Sequence, residues 1–129
     1  MRPDQLARNG SESSEQRALF CWSALKETRL IYPELIWMFA IPNGKQRSII
    51  DGANLKAEGV KAGVPDIFLP AKRAQYGGLF IELKRVIGGQ VNEQQSVWLE
   101  NLTKLGYCAK VCRGWLDAKM TIESYLQAR

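Results

Sequence analysis

Residues 63–85, GVPDIFLPAKRAQYGGLFIELKR, hold two acids and a lysine at spacings that a hairpin would bring together. Glu82 and Lys84 alternate with apolar residues in GLFIELK, so a strand puts both on one face. Fifteen residues separate Asp66 from Glu82. With a turn centred near Ala74, Asp66 and Glu82 are equidistant from it and pair across the hairpin, their Cβ atoms roughly 5 Å apart. Two carboxylates that close repel, and partly buried they would share a proton. A hard divalent cation removes the conflict, because Mg2+ or Mn2+ takes oxygen ligands at roughly 2.1 Å and keeps several waters. Such an ion bridges to a phosphate oxygen and acidifies a bound water. A neighbouring lysine can position or deprotonate that water, or balance charge in the transition state. The set suits phosphodiester hydrolysis. The plain alternative is a cross-strand salt bridge, which a lone Glu-x-Lys usually is. It weakens here because Pro-Asp precedes at hairpin distance inside apolar strands.

The chain of 129 residues contains no histidine. This excludes histidine-based serine and cysteine triads, HNH-type and zinc-protease chemistry, and histidine phosphotransfer. The net charge of +5 favours a polyanionic partner, most often nucleic acid. Three cysteines, Cys21, Cys108 and Cys112, are too few and scattered for a disulfide framework or a zinc site. Cys108 and Cys112 read as core thiols on one strand, in a reducing, cytoplasmic setting. MRPDQLARNGSESSEQ has no apolar signal region, and no apolar run approaches the roughly 20 residues that span a bilayer.

The length predicts one domain, with a flexible tail over 1–12 and a core over 13–129. Ser13 and Gln16 suggest a capping box, followed by a helix to about Arg29. Glu15 falls on that helix's buried stripe, or is simply a first-turn acid favoured by the helix dipole. LIWMFAI, 35–41, suits a strand buried on both faces. Residues 48–61 predict a helix that stops by Gly63. VPDIFL and GLFIELK predict a hairpin around AKRAQYGG. Asn92 is a good N-cap for a helix with Trp98, Leu102 and Leu105 on its stripe and Gly106 at its end. YCAKVC predicts a last strand and WLDAKMTIESYLQA a last helix. The order is mixed α/β. Trp37, Trp98 and Trp115 are expected in the core, and Tyr76 exposed at a turn tip.

Pro-Asp, fifteen intervening residues, then Glu-Leu-Lys resembles the PD-(D/E)XK signature of restriction-endonuclease-like nucleases. More narrowly, IPNGKQRS, GVKAGVPDIFLP, FIELKR and QQSVWLENLTKLGYCAKVCRG resemble the virus-type replication-repair nuclease (VRR-NUC) family, over about residues 13–116. The resemblance implies an αβββαβ core with a mixed central sheet, an extra helix after the first strand and a C-terminal helix. It implies a stand-alone phage or bacterial type. Asp66, Glu82 and the Leu83 carbonyl would be metal ligands, Glu15 a ligand through water, and Lys84 the catalytic lysine. Gln95 would hydrogen-bond near the metal, the water or the scissile phosphate, with Gln94 as its competitor for that role. The cofactor would be Mg2+ or Mn2+.

Phosphate contacts are expected from Lys45, Arg47, Lys56, Lys61, Arg85 and Arg113, although each alone reads as a solvated surface charge. The expected activity is metal-dependent DNA endonuclease cleavage, selective for branched DNA such as Holliday junctions by analogy with stand-alone relatives. Cutting two strands calls for two sites, hence a C2 homodimer. The rivals are a nicking or flap nuclease, a non-catalytic nucleic-acid-binding module, and an interaction domain whose charges are surface pairs.

Overall fold

The strand that carries the charges is the centre of the sheet. In the computed structural model, which describes residues 1–42 and 49–129, LFIELK forms β3 (Leu79–Lys84). It pairs antiparallel with β2 (Ile67–Leu69) and parallel with β4 (Cys108–Arg113), while β2 pairs antiparallel with β1 (Phe39–Ala40). The order β1-β2-β3-β4 makes a mixed sheet, as expected for this α/β class. A parallel β3–β4 step needs a crossover, and α5 (Glu93–Lys104) supplies it.

Alternation sorts the side chains by face. Ile67, Leu69, Leu79, Ile81 and Leu83 are essentially inaccessible and pack with Ala18 and Leu19 of α2 (Glu12–Ala24) and Ala118 and Ile122 of α6 (Trp115–Gln127). The register puts Asp66, Phe68, Phe80, Glu82 and Lys84 on the other face. Phe68 stacks on Phe80 at 4.3 Å, and Tyr107 meets Phe80 edge-on at 5.3 Å. Both faces of β3 are therefore filled.

Several expectations are corrected. The N-terminal segment is not loose from end to end. Pro3, suited to a first helical position, opens α1 (Pro3–Leu6), and the Cys21 thiol donates to the Met1 carbonyl at 3.1 Å. The N-cap of α2 is Ser11, whose Oγ accepts from the Ser14 N–H, so the Ser13–Gln16 box does not form. The predicted helix to Arg29 breaks at Leu25, which is extended (ψ 142°), and resumes as α3 (Lys26–Ile31). The continuous strand predicted over 35–41 is instead a 3-10 helix, Pro33–Trp37, followed by the two-residue β1. Pro33 fixes φ and starts that turn. Because β1 is the sheet edge, Ile36, Trp37 and Phe39 are left exposed, so Trp37 is not core.

The inserted helix α4 (Ile49–Ala57) ends earlier than predicted, before Gly59 (φ 101°), where the Val60 N–H bonds the Leu55 carbonyl. Gly63 (φ 91°) serves contact instead: a Cβ there would lie 2.9 Å from the Gln94 backbone. On α5, Leu102 is buried but Leu105 is exposed. Trp98 is half-buried, and only Trp115 of the three tryptophans is fully core. Tyr76 is half-buried against Tyr125 rather than exposed.

Candidate active site

Register decides whether the acids meet. Ladder pairs Ile67–Ile81, Phe68–Phe80 and Leu69–Leu79 share a midpoint at Ala74, the value the spacing predicts. The turn itself, closed by paired Arg73 and Tyr76, is centred half a residue later, and Ala74 takes a left-handed φ of 51° there. The irregular 70–72 and 77–78 segments absorb the offset before the ladder starts. Gly78 is needed there, since a Cβ would come within 2.6 Å of the Phe68 ring. One step beyond Ile67–Ile81, Asp66 stands opposite Glu82.

Asp66 is fixed twice. Its carbonyl accepts from the Ile41 N–H at 2.7 Å, which ties it to the β1 side. Its carboxylate Oδ2 accepts from the Leu83 N–H, also at 2.7 Å. The second bond follows from Pro65. Continuing the ladder would set Pro65 opposite Leu83, and proline has no N–H to give the Leu83 carbonyl. The Lys84 carbonyl points to β4, where it accepts from Gly114, so the Leu83 peptide faces the Asp66 side. Pro-Asp thus turns a ladder position into a carboxylate bonded to N–H beside a carbonyl that Pro65 cannot satisfy.

Glu82 is wholly buried and Lys84 nearly so, at 0% and 4% exposure. Lys84 Nζ lies 3.6 Å from Glu82 Oε2, and Gln95 Nε2 donates to the same oxygen at 3.2 Å. The capping box of α5 orients that amide: Gln95 Oε1 accepts from the Asn92 N–H and Asn92 Oδ1 from the Gln95 N–H. With Oε1 engaged, Nε2 is the end left for Glu82. Gln95 rather than Gln94 therefore reaches Glu82, and Gln94 instead backs Gly63.

Glu82, Lys84 and Gln95 meet through one carboxylate oxygen, and Asp66 joins them through the Leu83 N–H, but Glu15 makes its contact elsewhere. Its buried carboxylate accepts from the Trp115 N–H at 2.8 Å, at the start of α6. Gly114 (φ 83°) permits this, since a Cβ would meet Val86 at 2.6 Å and Glu15 Oε1 at 3.3 Å. The acid thus caps a helix a hundred residues away, a pairing that no local sequence signal announces. Arg113 also does more than its sequence suggests. Its Nη1 donates to the Gly88 and Gly89 carbonyls at 2.7 and 2.9 Å and so ties down the loop after Lys84. Arg85, Lys56 and Lys61 are exposed. Lys56, Lys61 and Gln94 line one cavity of about 440 Å³ beside the start of α5. Lys45 and Arg47 lie outside the described residues.

A model of the VRR-NUC domain matches residues 10–115. The chain belongs to the VRR-NUC family. A solved structure described as a "VRR_NUC domain protein" superposes with a TM-score of 0.73 at 29% identity, covering 91% of this chain and 88% of that one. No curated protein matches the chain. Membership makes it a member of a nuclease family, for which a divalent metal is implied. Among the described residues no cluster of three or more His, Cys, Asp or Glu stands ready as a metal cage. What this VRR-NUC chain offers is two facing carboxylates and the Leu83 carbonyl. All are oxygen donors, and the set is small enough to leave room for water. That fits a hard cation that binds through one or two carboxylates plus substrate oxygens. Among the described residues no helix is long and apolar enough to cross a membrane.

Proposed function

We propose that the chain is a Mg2+- or Mn2+-dependent DNA endonuclease of the cytoplasm, selective for branched DNA such as Holliday junctions and active as a homodimer. The observation that carries this reading is the β2–β3 register, which sets Asp66 opposite Glu82 with Lys84 on the same face. The bound cation would supply Lewis-acid charge at the phosphate and an acidified water.

The remaining work belongs to the chain. Asp66, Glu82 and the Leu83 carbonyl would hold the ion, and Glu15, whose Oε1 caps α6, would act only through water by its other oxygen. Gln95 keeps the Glu82 carboxylate in one orientation. The Lys84 ammonium is buried against Glu82 and cannot stray to solvent. It orients the attacking water and offsets charge gathering on the phosphate oxygens. Lys56, Lys61 and Arg85, with Lys45 and Arg47, hold the phosphate backbone without reading bases, while Arg113 holds the loop after Lys84 in place.

The test is cleavage of end-labelled four-way junction, flap and plain duplex with Mg2+, Mn2+ or chelator. Wild type should cut the junction only with metal. Asp66→Asn keeps an acceptor for the Leu83 N–H but loses the charge. Lys84→Met keeps the bulk without the ammonium. Each should lower the rate by about a hundredfold or more. Because Lys84 is a buried ion-pair partner, its variant is melted alongside. If Lys84→Met unfolds, Asp66→Asn, at a half-exposed position, decides the outcome. Metal-independent cutting, or a fully active Asp66→Asn, refutes the site. Tight DNA binding with no cutting of any substrate would instead make the chain a binding module.

A further inference from the structure

Directly after Lys84 the chain leaves the sheet as Arg85-Val86-Ile87-Gly88-Gly89. Ile87 is the most exposed large apolar side chain among the described residues, at 86%. One exposed apolar residue is ordinary, but this one is held in place. Val86 lies against Gly114, close enough that no Cβ fits between them. Gly88 and Gly89 (φ 77° and 60°) turn the chain back just beyond Ile87, in a conformation that glycine adopts freely. Arg113 then clamps the two glycine carbonyls. A cation beside a phosphate-handling site is thereby committed to fixing a loop whose tip is apolar.

Position adds the meaning. Three residues of chain put Ile87 no more than about 10 Å from Lys84. Phosphates on one DNA strand are spaced roughly 3.4 Å along the axis, so this is about three nucleotides. Lys84 and Arg113 are paired across β3 and β4, so the clamp holds the loop at the end of the strand that carries the lysine, where Gly89 also nears the Glu12 carboxylate of α2. A strand whose phosphate sits at Lys84 has its neighbouring bases within reach of Ile87.

We infer that Ile87 is an apolar wedge that enters a base step next to the scissile phosphate and so selects DNA whose stack is already open. Side chains of this type enter unstacked or kinked steps. The entry is cheapest where pairing or stacking is broken, as at a branch point. This inference rests on the nuclease reading and adds what decides the substrate: helical continuity, read by one aliphatic side chain.

The experiment compares wild type with Ile87→Ser and Ile87→Leu. Cleavage of a four-way junction and of continuous duplex is measured with Mg2+, and 2-aminopurine fluorescence is followed at the steps flanking the cut site. Wild type should brighten 2-aminopurine on binding. Ile87→Ser should abolish that rise and cut the junction-over-duplex preference about tenfold. Ile87→Leu should restore both. Melting temperatures should agree, since the side chain is in solvent. Undiminished preference and fluorescence in Ile87→Ser overturn the wedge and leave the nuclease standing. So does dissociation of a wild-type dimer by Ile87→Ser in sedimentation, which would give the residue to a second copy. Wild type that cuts nothing overturns the nuclease itself, and the 2-aminopurine signal then judges the wedge by binding alone.

Discussion

Gln95 satisfies two obligations with one amide. Its oxygen closes the α5 capping box and its nitrogen meets Glu82. Neither end can rotate away without losing a bond, so the carboxamide is the group that suits both. Removing it as Gln95→Ala leaves a buried carboxylate short of a donor and should cost about 1–3 kcal/mol. Gln95→Glu keeps the cap acceptor but sets a second acid against Glu82. Its deficit relative to wild type should be larger at pH 8 than at pH 5, because a proton shared by the pair relieves the repulsion at low pH. Chemical denaturation of both variants at the two pH values checks this. An equal deficit for Gln95→Glu at both would mean that the two side chains do not meet.

Strands here work as frames whose gaps matter. β3 is buried on both faces, and Pro65 interrupts its antiparallel ladder where the acids sit. β4 contributes thiols in place of chemistry. Burial pushes Cys112 from the usual 9.0 up to about 11, and also raises Cys108. The folded thiols thus hold their protons after those of the unfolded chain begin to ionise. That contribution to stability is complete below about pH 9 and is lost as pH climbs toward 11. Wild type should therefore lose more stability than Cys112→Ala between pH 8 and pH 11, as followed by urea midpoints. At pH 8 a thiol reagent should label Cys21 first, and Cys108 and Cys112 only after unfolding. Equal labelling of all three in the native protein would refute the burial argument.

At the scale of the whole molecule, the outer edge of the sheet is unusually apolar. Leu30, Ile31, Ile36, Trp37 and Phe39 are all exposed along α3, the 3-10 helix and β1, with Leu30 at 77% and Trp37 at 69%. Isolated apolar residues on a surface are common, but a run of five large ones beside a sheet edge invites a partner. A second copy seated on this surface would bury about 800 Å² on each protomer, the area of a stable pairing. Sedimentation velocity should find wild type dimeric and Trp37→Glu monomeric, with the variant still folded by circular dichroism. It should also lose paired incision of a junction while retaining single nicks. A Trp37→Glu protein that remains dimeric would move the interface elsewhere.

Much of the site is legible in the chain because it depends on short-range arithmetic. Alternation along GLFIELK, the equal distances of Asp66 and Glu82 from Ala74, and the Asn92 cap three residues before Gln95 are all local. Side-chain period and turn position fix which atoms face each other. The absence of histidine narrows the chemistry without any knowledge of the fold. Tertiary structure decides what depends on distant partners. Glu15 is assignable to a buried stripe, but only the packing of α2 beside α6 turns its carboxylate toward Trp115. The apolar run at 35–41 has the composition of a core strand, and its place at the sheet edge leaves half of it in solvent. Arg113 has the charge of a phosphate contact, yet the parallel β3–β4 register brings it under the glycine carbonyls of the loop after Lys84. A sequence states the periodicity of an element and the chemistry of its residues. Which neighbour satisfies each polar group is set only when the elements pack.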